Sequence, residues 1–251
     1  MTDANNWAPI EAILCHAFRF KPSTIMIADT AFMCEPTGAA KRFIFFGHYL
    51  ILVLLAVYDK FRIADLEACD NMTKAALIGV DWGTTNFRAY LLSKKAEVLA
   101  SRTAARGVLS VDKDAFPEVL CDEVNDWLQQ YPQIPVLMSG MVGSTAGWQE
   151  VPYLCCPVDP ALLSQYLYTL PAMGQHAVYI VPGVRMPNQQ RADVMRGEET
   201  QLMGVMQDAA IECCCLPGTH SKWVAIQNQR IQHFTTYMTG ELFSLLSKHS
   251  I

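Results

Sequence analysis

Asp81 stands near the end of an apolar run in LIGVDWGTTNFRAYLL (77–92) and is followed by Gly83, Thr84, Thr85 and Asn86. A turn of this composition offers backbone N–H groups and hydroxyls to an anion, and glycine lets the chain approach without a Cβ in the way. A carboxylate at its mouth can hold a hard divalent cation through the water shell that such an ion keeps. The chemistry these residues suit is the holding of phosphate with its metal. The pattern recurs in IECCCLPGTHSKWVAI (211–226), where Gly218, Thr219, His220 and Ser221 separate two apolar runs. The offset is 135 residues throughout, with Arg88-Ala89-Tyr90-Leu91 lying over Trp223-Val224-Ala225-Ile226.

The elements that must position these turns are strands. Ala75–Val80, Phe87–Leu92 and Glu97–Arg102 read as a three-stranded meander, and the second copy continues through a polar hairpin at Asn228-Gln229 into Arg230–Thr236. A helix is expected over Asp114–Tyr131, with Phe116, Val119, Leu120, Val124, Trp127 and Leu128 on one face. Short strands are expected at Pro135–Ser139 and His176–Val181, and a second helix over Gly197–Gln207. The Gly/Ser-rich stretch 139–154 reads as an ordered loop, a common home for substrate contacts. Alternation of strands and helices indicates an α/β class.

With 251 residues there is ample chain for a substantial core, and a formal net charge of −5 without any Lys/Arg run excludes a phosphate-backbone footprint. Nucleic acid is therefore not an expected partner. The nine cysteines include the adjacent pair 155–156 and the triplet 213–215, which suit neither a disulfide framework nor a C-x-x-C metal site. Reduced, buried thiols in a cytoplasmic protein are the expectation.

Residues 1–71 lack the clean periodicity of the rest. Their apolar stretch at 43–58 is short for a membrane span, which needs about 20 residues, though a marginal anchor is one alternative. The organised pattern begins at Met72, which reads as a natural start with 1–71 as an upstream extension.

Two strand-turn-strand units imply two similar half-domains facing each other across a cleft. This arrangement resembles the sugar-kinase, heat-shock-protein-70 and actin superfamily, and more narrowly the 2-dehydro-3-deoxygalactonokinase family. The resemblance rests on VDWGTTNFRAYLL (80–92), MSGMVGSTAGWQEVPYL (138–154), VPGVR (181–185), DVMRGEETQLMG (193–204), LPGTHSKWV (216–224) and MTGELFSLLSKHSI (238–251). It implies duplicated ribonuclease-H-like (actin-like ATPase) domains, the first over 72–209 with its connecting helix and the second over 210–251 and incomplete.

The resemblance further implies an ATP-dependent kinase that phosphorylates 2-dehydro-3-deoxy-D-galactonate, with ATP and Mg²⁺ as cofactors. Asp81 would serve the metal, and the two turns, Gly83–Asn86 and Gly218–Ser221, would hold the phosphates. Lys222 would reach phosphate, and Arg88 a sugar-acid carboxylate, for which arginine is the better bidentate partner. Family position points to Glu198 as general base, Glu199 close behind and Asp193 a weaker candidate. Trp148 and Glu150 would belong to a substrate loop. The rival readings are a catalytically inactive, truncated kinase fragment with an exposed apolar face, and a membrane-tethered protein anchored by 43–58.

Overall fold

The computed structural model describes residues 75–94, 97–187, 192–206 and 211–249, with the backbone of two short strands, β1 (Thr24–Ala28) and β2 (Phe43–Phe45). The apolar run after residue 74 forms β3 (Ala75–Trp82), and β4 (Phe87–Ser93) and β5 (Val98–Ala104) complete the expected meander. β3 lies mid-sheet, antiparallel to β4 and parallel to β6 (Val136–Gly140), and is buried on both faces because a separate core packs on each. A strand covered on both sides reads as a continuous apolar run rather than an alternation. The six-stranded order is β5-β4-β3-β6-β9-β8, with β8 at Tyr168–Met173 and β9 at His176–Ile180. A meander extended by parallel strands is the ribonuclease-H-like arrangement.

One face of this sheet is covered by α1 (Phe116–Gln130), whose six expected inward residues are all buried. They pack with Ile78, Val80, Trp82 and Ala89 in one core. Edge strand β8 and the short α2 (Pro160–Gln165) lie outside the sequence expectations. Pro171 inside β8 hides its strand character, since proline is tolerated only at sheet edges. α2 is too short for a periodic pattern and is announced only by its N-cap Asp159, which accepts the Leu162 N–H at 2.8 Å.

The other face meets the second core, built around α3 (Glu198–Val205). Leu202, Met203 and Val205 of this helix lie among Leu77, Leu92 and Leu137 of the first sheet and Cys214, Leu216, Val224 and Phe234 of the second. The second sheet repeats the meander as β12 (Cys213–Leu216), β13 (Ser221–Gln227) and β14 (Arg230–Tyr237), in the order β14-β13-β12-β1-β2. β1 runs parallel to β12, with Thr24 opposite Cys213. The cysteine triplet is thus strand, Cys214 and Cys215 are buried, and the described cysteines are all free thiols. A hairpin at Asn228 and Gln229, both at positive φ, joins β13 to β14. A small third sheet, β11-β10-β7, joins Leu154–Cys155 (β7), Val184–Arg185 (β10) and Val194–Met195 (β11).

Polar contacts tie the segments before β11 and α2 to β14 of the second meander. Asp193 accepts the Thr236 N–H and hydroxyl, each at 2.7 Å, and Asp159 pairs with Arg230 at 2.7 Å. The closing helix α4 (Thr239–His249) leaves Leu242, Leu245 and Leu246 exposed. Of the 43–58 run, Phe43–Phe45 is strand β2 and the remainder lies outside the described residues. Among the described residues no helix is long and apolar enough to cross a membrane.

Candidate active site

The duplicated turns open onto one cleft of about 540 Å³ at the C-terminal ends of β3 and β6. Crevices at the carboxyl ends of parallel strands are the usual ligand sites of α/β sheets. Asp81, Gly83, Thr84 and Arg88 line one side, and Leu216, Pro217, Gly218, Thr219, His220 and Lys222 the other. Arg196, Gly197, Glu198 and Gln201 contribute from the connecting helix and its approach, and Gly140 and Met141 from the end of β6.

The first turn is held from behind. Gly107, Val108 and Leu109 donate their N–H groups to the carbonyls of Thr85, Gly83 and Thr84 at 3.0–3.2 Å. Gly83 N–H closes the turn by donating to the Asn86 carbonyl at 2.9 Å, so the amides that face an anion there are those of the residues between them. The two copies differ at one decisive place: the 135-residue offset puts Leu216 opposite Asp81, so only the first turn carries a carboxylate. Asp81 sits 3.5 Å from Arg88.

Two glycines bring the connecting helix to this carboxylate. Gly140 has φ +90°, and a Cβ there would lie 2.8 Å from the Trp82 carbonyl oxygen and 3.2 Å from Asp81 Oδ1. Gly197, at φ +109°, would place its Cβ 3.3 Å from the Gly140 Cα. Positive φ and this close approach both require glycine. Their contact sets the start of α3 against the end of β6, and Glu198 enters the cleft there, its Oε2 accepting the Arg196 N–H at 3.0 Å. Glu198 Oε1 lies 3.7 Å from Lys222 Nζ, across from the second unit.

Residues 81–251 match the family model described as 2-keto-3-deoxy-galactonokinase. The chain belongs to this family. It is 40% identical over 177 residues to the 2-dehydro-3-deoxygalactonokinase of Escherichia coli (strain K12), covering 70% of this chain and 58% of that protein. Over 174 residues it is 36% identical to a candidate 2-dehydro-3-deoxygalactonokinase of Rhizobium meliloti (strain 1021), covering 68% of this chain and 56% of that protein. A crystal structure of a candidate 2-dehydro-3-deoxygalactonokinase from Sinorhizobium meliloti superposes with a TM-score of 0.62 at 34% identity, covering 70% of this chain and 58% of that one. The chain therefore spans just over half the length of the relatives it matches.

Against this family background, several expected site residues fall outside the cleft. Thr85 and Asn86 are exposed at the tip of the first turn, where Asn86 Nδ2 donates to Thr85 Oγ1 at 3.3 Å. Ser221 is buried, and its hydroxyl accepts from Thr239 at 2.9 Å, tying β13 to α4. His220 lines the cleft but pairs with Glu241 at 2.8 Å. Trp148 is stacked on Phe116 with 6.4 Å between ring centroids, part of the packing over α1, and Glu150 is exposed away from the cleft. Asp193, through its clasp on Thr236, is structural. Arg196 is a residue that motif reasoning passed over. It is 9% exposed, stacks on Tyr153 at 4.2 Å and donates to the Val151 carbonyl at 2.7 Å, so it ties the 141–153 loop to the start of α3.

Glu199, the neighbour of Glu198, is enclosed rather than open to the cleft. It is 0% exposed, and its two oxygens accept the Gly197 N–H at 2.8 and 2.7 Å. Burial first, and then the charge of Glu198, push its carboxyl up to about 8. A raised carboxyl pKa favours the folded state below the unfolded value, and that stability is lost as pH climbs through the folded value. The window runs from the ordinary 4.5 to about 8. Glu199→Gln keeps an acceptor for Gly197 and removes the ionisation. The melting temperature of Glu199→Gln minus that of the parent is expected to grow from pH 5 to pH 8, read by calorimetric scans. A difference that stays flat, or that shrinks, removes the buried neutral carboxyl.

Proposed function

We propose that this chain carries the phosphoryl-transfer site of an ATP-dependent sugar-acid kinase, moving the γ-phosphoryl group of ATP to the 6-hydroxyl of 2-dehydro-3-deoxy-D-galactonate in galactonate catabolism. The observation that carries the reading is the convergence of both glycine turns, Asp81, Lys222 and Glu198 on one cleft between the duplicated units. Phosphoryl transfer asks a protein mainly for positioning and electrostatic stabilisation, and this set supplies both.

The residues fit a nucleotide-borne Mg²⁺ better than a dedicated cage. Among the described residues no group of three or more His, Cys, Asp or Glu side chains could hold a metal. Mg²⁺ is commonly held by one or two carboxylates, several waters and the substrate's own phosphates, which is the role open to Asp81. Bound there, the ion would neutralise charge on the phosphates. Gly83, Thr84, Gly218 and Thr219 present their turns to those phosphates, and Lys222 adds a cation from the second unit. The guanidinium of Arg88, beside Asp81, has the planar fork that suits the acceptor's carboxylate.

Glu198 is the carboxylate placed for the acceptor. Its Oε2 is anchored by the Arg196 N–H, which leaves Oε1 to take the proton of the attacking hydroxyl. As that O–H bond breaks, the hydroxyl oxygen bonds to the γ-phosphorus and the bond to the β-bridging oxygen breaks, its electron pair leaving with ADP. The free thiols throughout the described chain fit a cytoplasmic setting.

Titration calorimetry of the 251-residue chain with ATP and Mg²⁺ tests the reading. Binding with a dissociation constant in the micromolar-to-millimolar range typical of substrates is expected. A folded chain that takes up no nucleotide would overturn it.

A further inference from the structure

We propose that Lys222 exchanges partners during the cycle, bound to Glu198 when the cleft is empty and to nucleotide phosphate when it is filled, so that nucleotide binding releases the base for the acceptor hydroxyl. This rests on the kinase reading and goes beyond it by linking the two halves of the site through one ion pair.

The sequence makes Lys222 an odd residue for its place. At the 135-residue offset it lies over Phe87, a fully buried core residue of the first unit. Lys222 is itself only 8% exposed, yet it lines the cleft. An ammonium so placed needs a counter-charge, because burial without one is costly. Among the described residues the carboxylate within ion-pair distance is that of Glu198, at 3.7 Å.

That separation decides the character of the pair. It is beyond hydrogen-bond length, so the attraction is Coulombic and no N–H of Lys222 is committed to Glu198. A phosphate arriving at the neighbouring Gly218-Thr219 turn carries more negative charge and offers oxygens for direct, charge-assisted bonds. Lys222 therefore has a better partner waiting within the same cleft. The other oxygen of Glu198 stays fixed by the Arg196 N–H at 3.0 Å, so the carboxylate does not follow the lysine. Losing Lys222 leaves Oε1 without its cation at the moment when the acceptor hydroxyl needs a proton acceptor. The pair also joins α3 to β13, so the exchange is felt on both sides of the cleft.

The consequence is an unusual sign. Removing the charge of the base should strengthen nucleotide binding, because ATP no longer competes with Glu198 for Lys222. Calorimetry with Mg·ATP on the 251-residue chain compares the parent, Glu198→Gln, Lys222→Met and the double variant. Glu198→Gln keeps an acceptor for Arg196 and is expected to tighten binding about three- to tenfold, the size of one weak ion pair. Lys222→Met is expected to weaken it about tenfold or more, and Glu198→Gln is expected to have no further effect in that background. If Lys222→Met does not fold, Lys222→Gln serves in its place.

Equal tightening by Glu198→Gln with and without Lys222 would mean simple relief of repulsion and would overturn the exchange. So would parent-like or weaker binding by Glu198→Gln while the parent binds, and either result leaves the kinase reading standing. Failure of the folded parent to bind Mg·ATP would overturn the exchange and the kinase reading together.

Discussion

Glu198→Gln is expected to lower kcat for phosphorylation of 2-dehydro-3-deoxy-D-galactonate by about 10²–10⁴-fold, the usual contribution of a positioned general base. The substitution is chosen for what it preserves. A glutamine carbonyl can still accept the Arg196 N–H that Glu198 accepts at 3.0 Å, so the first turn of α3 keeps its geometry. What it loses is the carboxylate oxygen that would take the hydroxyl proton. Because the same change frees Lys222, the fall in kcat should come with an apparent affinity for ATP at least as tight as the parent's. Steady-state kinetics separates the two parameters. A kcat within threefold of the parent would move the base elsewhere in the cleft.

Asp81→Asn is expected to abolish most turnover, on the order of 10³-fold, through loss of the carboxylate that would hold the Mg²⁺ of the nucleotide. Asparagine has nearly the same volume, so it fits the space that the missing Cβ of Gly140 leaves beside this side chain. The charge is removed, and Arg88, 3.5 Å away, loses the Asp81 carboxylate as a counter-charge beside the first turn. The Mg²⁺ concentration for half-maximal rate should therefore rise, a change that a merely structural aspartate would not produce. Near-normal turnover with an unchanged Mg²⁺ dependence would sink this role.

Much of the architecture was legible beforehand because it is written in local periodicity. The inward face of α1 needs only the spacing of six apolar residues, and burying all six is the one way that stripe leaves water. The duplicated meander shows as a repeat since each copy needs the same apolar strands and the same glycine turn. Elements without such a signature were missed: β8, interrupted by Pro171, and α2, little more than one turn long.

The candidate site was legible in outline, though several of the expected residues do not line the cleft. Gly83, Thr84, Gly218, Thr219 and Lys222 come together with Asp81 and Glu198 as the two turns implied. Trp148 was expected in a substrate loop, but a large aromatic ring gains most by packing, and Phe116 offers it a flat partner. Ser221 completes the turn motif on paper, yet the pleat of β13 directs it away from the cleft toward Thr239.

By itself the sequence determined the two units, their turns and the presence of a carboxylate, Asp81, at the mouth of the first turn alone, because those follow from residue order along one strand-turn-strand segment. Tertiary structure alone decided which of Glu198 and Glu199 faces the cleft. Neighbouring helical residues project about 100° apart, so one carboxylate of an identical pair faces the cleft and the other is enclosed between the sheets. Which is which depends on how the Gly140–Gly197 contact rotates α3 against β6, a contact between residues 57 positions apart that leaves no periodic trace in the chain.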